Sequence, residues 1–99
     1  MDTQYVWDTN KAARNLARHG VSFAEAREVF NDPASVILEN YDVDDEQRLM
    51  ILGRSAGLIL LAVVFIQFEA PDAFVVRIIS ARKAVAYEEN IYREAQEGH

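Results

Sequence analysis

The residues of this 99-residue chain best suited to chemistry are its arginines. Arg77-Ile78-Ile79-Ser80-Ala81-Arg82-Lys83 sets three cations and a hydroxyl where a strand, led in by Phe74, Val75 and Val76, gives way to a helical pattern at about Lys83. Fixed charge, forked donors and the backbone N–H groups of a helix start are what a phosphate-bearing ligand needs. Arg77, Ser80, Arg82 and Lys83 are therefore candidate phosphate contacts. Strict alternation puts Arg77 and Arg82 on opposite faces of their strand unless a bulge or the strand's end intervenes. Arg48 and Arg54, six apart on a second strand, fall on one face and would flank a trough. The plainer reading makes all of these solvated residues paired with the chain's many carboxylates.

For proton transfer the candidates are His19 and Glu46. Imidazole changes charge near neutral pH and serves as acid or base, but His19 also fits a helix C-terminus, where cations meet the negative end of the dipole. Arg18 beside it shares that position. Glu46 is a candidate base or simply one of several solvated acids. Trp7 could stack a base but reads more simply as core.

The totals narrow the class. Ten Lys and Arg against 16 Asp and Glu give a net charge of −6, which disfavours an unaided nucleic-acid binder because phosphate attraction supplies most of such affinity. The distribution is uneven, since residues 48–83 hold five cations and two anions. With no cysteine there is no disulfide or thiolate site, and two histidines offer little to a metal. No cofactor is implied. The start lacks a basic signal-peptide pattern and the longest apolar run, Gly57 to Ile66, is too short to cross a bilayer. A single cytosolic domain with no membrane role is expected.

The positioning elements follow from period. Tyr5-Val6-Trp7 is a candidate short edge strand. Asp8 caps a helix to about His19, with Gly20 at its end and Ala13, Leu16, Ala17 and Ala12 as its apolar side. Lys11, Arg14 and Arg18 share an exposed stripe of it. Ser22-Phe23-Ala24-Glu25 is a capping box opening a second helix to about Phe30, stopped by Asn31-Asp32-Pro33. Strands are expected over Ala34–Glu39, Gln47–Ser55, Leu58–Phe68 and Ala73–Ser80, with an acidic loop at Asn40–Glu46. A last helix from about Lys83 to Ala95 buries Ala84, Tyr87, Ile91 and Ala95. The fold class is α+β: a helical hairpin, a four-stranded antiparallel meander and a C-terminal helix over residues 1–99.

Taken together, Trp7-Asp8-x-x-Lys11, Asn15, Arg18-His19-Gly20-Val21-Ser22-Phe23-x-x-Ala26, Val29-Phe30-x-Asp32, Glu46-x-Arg48, Ile51-Leu52-Gly53 and Arg77 to Ala84 resemble the BrnT-type toxins, with Glu88 and Tyr92 where that family's last helix carries a similar pair. The resemblance spans nearly the whole chain. It implies a RelE-like fold and a ribonuclease toxin of a type II toxin–antitoxin pair. A cognate DNA-binding antitoxin would neutralise it, form a hetero-oligomer with it and carry it to operator DNA. Two departures stand out: Arg18 replaces the family's usual lysine, and Phe65 lies near a position that is commonly polar, often histidine. The Phe68–Phe74 connection is also longer and more apolar than expected.

RNA can be cleaved without a metal through its own 2′-hydroxyl, given a base, stabilisation of the crowded phosphorane and protonation of the leaving 5′-oxygen. On that reading His19, Glu46, Arg48, Arg54 and Arg82 are catalytic, and Arg18, Arg77, Ser80 and Lys83 bind RNA. An alternative keeps the fold without the catalysis, as a module that grips an antitoxin and co-represses. A stand-alone RNA-binding domain lacks the expected basic, aromatic sheet face.

Overall fold

Strand 5, Ala73–Lys83, is the element around which the sheet is built. In the computed structural model, which describes residues 2–43 and 46–98 and only the backbone of 39–43, it pairs with a strand on each side. The elements run β1 (Asp2–Val6), α1 (Thr9–His19), α2 (Phe23–Glu28) with a 3-10 turn at Val29–Asn31, β2 (Val36–Val43), β3 (Glu46–Arg54), β4 (Leu60–Ala70), β5 and α3 (Ala86–Glu97). The sheet order is β1-β5-β4-β3-β2. The meander of four antiparallel strands is present, and the candidate edge strand proves to be a fifth, parallel to β5 from Asp2↔Ala73 to Val6↔Arg77.

Each face of the sheet has its own apolar cluster. Val21, Phe23, Ala26 and Val29, from around α2, pack on Leu49, Ile51, Leu61, Val63, Phe65, Val76, Ile78 and Ala81. The other face carries a smaller cluster in which Tyr92 of α3 covers Leu52 and Ala62. Gly53 is required by a close approach, because a Cβ there would lie 2.7 Å from Val29 Cγ1 and 3.2 Å from the Val29 carbonyl. The Phe65 ring is 1% exposed and meets Phe30 edge-on at 5.0 Å, so it belongs to the α2-side core. Trp7 likewise packs edge-on against Phe23.

Several expectations change. The span Asn40–Glu46 is not simply a loop: β2 runs to Val43 and β3 starts at Glu46, with Asp44 and Asp45 outside the described residues. The apolar Phe68–Phe74 stretch is strand as well, closed by a turn at Pro71-Asp72. β5 continues to Lys83 and α3 starts three residues later, so Arg82 and Lys83 are strand residues and no helix start adjoins Ser80. On α3 Ile91 packs against the Leu52 cluster as expected, but Tyr87 is 73% exposed and the buried residues are Glu88 and Tyr92.

The buried face of α1 also differs. Leu16 is 51% exposed, and the buried residue is Asn15. Its Nδ2 donates to the carbonyls of Val21 and Ala81 at 2.9 and 2.8 Å, and its Oδ1 accepts from the Ala81 N–H at 3.1 Å. The edge of β5 beyond Arg77 has no β1 to pair with, and the amide satisfies backbone groups that an apolar side chain would strand.

At the helix starts, Asp8 accepts from the Lys11 N–H and Ser22 from the Glu25 N–H, while Gly20 ends α1 at φ 70°. Glu25 does not close the expected box; its carboxylate accepts from Ser55 Oγ instead.

Candidate functional site

A register shift in β5 decides which side chains meet. Phe65 pairs with Ile78 and Val64 with Ser80, leaving Ile79 as an extra, bulged residue. The bulge resets the alternation. Arg77, Ser80 and Arg82 consequently share the α3 side of the sheet, while Ile78 and Ala81 face the opposite core.

On that side Glu46 lies between two arginines. Its carboxylate is 3.5 Å from Arg77 Nη2 and 4.0 Å from Arg48 Nη2. Both contacts are long and partly exposed, so they add little to stability and leave the guanidinium donors available to another anion. Arg48 Nε is buried and has no partner among the described residues, an orphaned donor of the kind that functional sites tolerate. Glu46, Arg48, Arg77 and Ser80 put a carboxylate, two forked cations and a hydroxyl on one face of the sheet.

Arg82 is on the same face but differently engaged. Its two terminal nitrogens donate to the two oxygens of Glu88 at 2.7 and 2.9 Å. This arginine holds the Glu88 carboxyl below its ordinary value against the opposing effect of burial, and the Val85 N–H donates to it as well. The pair fastens the end of β5 to the first turn of α3. Arg82 thus supports the site's rim, with its fork already occupied.

Arg54 lies six residues beyond Arg48, about 20 Å along the strand. Its Nη1 donates to the Leu58 carbonyl and its guanidinium sits over the Tyr92 ring. Nearby, Asp32 accepts from the Arg54 N–H, the Ala34 N–H and the Tyr92 hydroxyl, which at 2.7 Å ties α3 to the 3-10 turn. Arg48 and Arg54 therefore share a face but no site, with the α3 contact over Leu52 between them.

His19 and Arg18 end α1, on the α2 side of the sheet. With Lys11 and Arg14 they line a shallow pocket of about 680 Å³ whose sheet wall is Ile79 and Ser80. Lys83 is exposed at the end of β5. The five candidate catalytic residues are thus divided: Glu46 and Arg48 are together, Arg82 is at their rim, and His19 and Arg54 are elsewhere. Asn15 and Glu88 are the positioning residues that residue type alone concealed; an amide on a helix flank and an acid in a capping position were the available signals.

Comparison with known proteins agrees with this architecture. The sequence profile of the ribonuclease toxin BrnT of type II toxin–antitoxin systems matches residues 7–88. The crystal structure of the Brucella abortus ribonuclease toxin BrnT is similar at a TM-score of 0.61 and 28% sequence identity, over 86% of this chain and 99% of that one. No curated protein matches. With the profile running from the residue after β1, through α1, α2 and strands β2 to β5, to the first turn of α3, the chain belongs to the BrnT family of ribonuclease toxins of type II toxin–antitoxin systems.

Proposed function

We propose that the chain is an endoribonuclease that cleaves RNA by metal-independent attack of the 2′-hydroxyl, at the face bearing Glu46, Arg48 and Arg77. Glu46 takes the 2′-hydroxyl proton, the 2′-oxygen bonds to phosphorus, and the 5′-oxygen leaves, giving a 2′,3′-cyclic phosphate and a free 5′-hydroxyl. Arg48 and Arg77 stabilise the charge gathering on the non-bridging oxygens. The Ser80 hydroxyl donates a hydrogen bond to the phosphate, and the leaving 5′-oxygen takes its proton from solvent water. The observation that carries the reading is the position of Glu46 between two loosely held arginines. This reading assigns the central step to Glu46, Arg48 and Arg77 and gives His19 and Arg54 no role in it.

A cognate DNA-binding antitoxin would complete the system as a neutralising partner in a cytoplasmic hetero-oligomer, reaching operator DNA through its own domain. The test is cleavage of single-stranded RNA in EDTA by the partner-free protein beside Glu46→Gln, Arg48→Ala and Arg77→Ala. Each variant is expected to lose about 10²-fold or more. Full activity in Glu46→Gln would remove the proposed base. A folded wild type that leaves free RNA intact would point to the alternative, a binding module without catalysis, or to cleavage that needs the ribosome.

A further inference from the structure

The cations on α1 lie outside the Glu46 site and need their own explanation. Lys11, Arg14 and Arg18 recur at helical spacing, all exposed, over about 10 Å of one stripe. None forms a salt bridge among the described residues. Arg18 at the C-terminal end agrees with the helix dipole, but Lys11 in the first turn opposes it, and that turn holds no acid. Asp8 accepts from the Lys11 backbone N–H as the cap. One carboxylate, Asp8, acts on Lys11 and Arg14, so the stripe of three cations keeps a net positive charge on a chain of net charge −6, which favours an anion from outside.

The pocket beneath them borders Ser80, a residue of the Glu46 face. Its sheet wall is Ile79 and Ser80, the bulge itself, and Ser80 is on the arginine-bearing side by register. Along this edge β1 pairs only to Arg77, and Asn15 takes both backbone groups of Ala81. The gap between them is too short to accept an added peptide strand. A flexible polyanion that passes over an edge meets no such limit.

We propose that Lys11, Arg14 and Arg18, with the Ile79–Ser80 edge, form an accessory groove that holds the phosphate backbone of single-stranded RNA flanking the scissile bond. The inference rests on the ribonuclease reading for its substrate class. The groove supplies binding outside the reacting centre, so its residues govern affinity and KM, not the chemical step.

The test measures binding of a fluorescent 2′-O-methyl RNA of about 12 nucleotides, which lacks the attacking hydroxyl, to the wild-type protein and to Lys11→Gln/Arg14→Gln/Arg18→Gln. The triple variant is expected to bind at least about tenfold more weakly, and its log affinity–log salt slope is expected to be shallower by about 2, from roughly 0.7 per lost single-strand contact. A trinucleotide, too short to span both regions, should show a much smaller difference between the two proteins. All three side chains are exposed, so an unchanged melting curve checks the fold. Unchanged affinity and salt slope would overturn the groove. So would an RNA affinity indifferent to the three charges alongside charge-dependent capture of poly-glutamate, which would assign the stripe to an acidic protein segment. If the wild type cleaves no RNA yet binds the 12-mer with this charge dependence, the nuclease reading fails while the groove stands.

Discussion

Arg77 and Arg82 are five residues apart, an interval that sends side chains to opposite faces of a regular strand, yet both reach the α3 side of the sheet. Arg77 meets Glu46 at 3.5 Å and Arg82 meets Glu88 at 2.7 Å. The bulged Ile79 supplies the missing half-period. One inserted residue thereby puts both arginines of β5 on a single face while Ile78 and Ala81 stay in the opposite core.

Deleting Ile79 should consequently leave a foldable chain, because the remaining residues alternate correctly and the β4–β5 ladder can close. The local bend would be lost, and with it the placement of Ser80 and Arg82 relative to Arg77. Cooperative thermal unfolding with cleavage reduced by about 10²-fold is the expected pair of results. A deletion variant that no longer unfolds cooperatively would show that the bulge is needed for register as well as for aim.

Asn15→Ala would strand a backbone N–H and two carbonyls in a buried setting. The expected cost is about 3 kcal/mol or more, or a fall in Tm of at least about 10 °C in a domain of this size. Calorimetry checks this directly. Leu16→Ala, on the exposed side of the same helix, should change Tm little.

Gly53→Ala places a methyl group 2.7 Å from Val29 Cγ1. The 3-10 turn must retreat from β3, at a cost of about 1–3 kcal/mol. Because Asp32 follows that turn and binds the Tyr92 hydroxyl, the same change should loosen α3. Faster amide exchange in residues 86–97 would report it.

Acid should weaken the α3 attachments. Arg82 holds the Glu88 carboxyl below its ordinary value. At Asp32 burial acts upward, but the Arg54 N–H, the Tyr92 hydroxyl and the Ala34 N–H outweigh it and lower the carboxyl. Both groups have folded values below their unfolded ones. Their stabilisation is thus complete above about pH 4–4.5 and is lost as pH falls through the lowered folded values. Glu88→Gln should be less stable than wild type at neutral pH, yet lose less on acidification from about pH 5 to 2. Parallel Tm-against-pH curves would exclude Glu88 as a source of the acid sensitivity.

What the sequence determined by itself is the order of elements and most of their boundaries. The caps at Asp8 and Ser22, the glycine after His19 and the change of period after Pro33 are local signals, and the structure carries them where the residues indicate. The ordered motifs also pointed to the family. Tertiary structure decided which chemical groups meet. Lys83 reads as a helix start, but pairing with Leu61 keeps it in β5; Leu16 reads as core, but the open edge of β5 requires the amide of Asn15 instead. His19 and Glu46 are equally plausible proton carriers in the chain, and the structure sets Glu46 between Arg77 and Arg48 while His19 ends α1 in a pocket bordered by Ser80. Nothing within β5 announces that Ile79 is the surplus residue, because a bulge is a mismatch between two strands and exists only once both are paired.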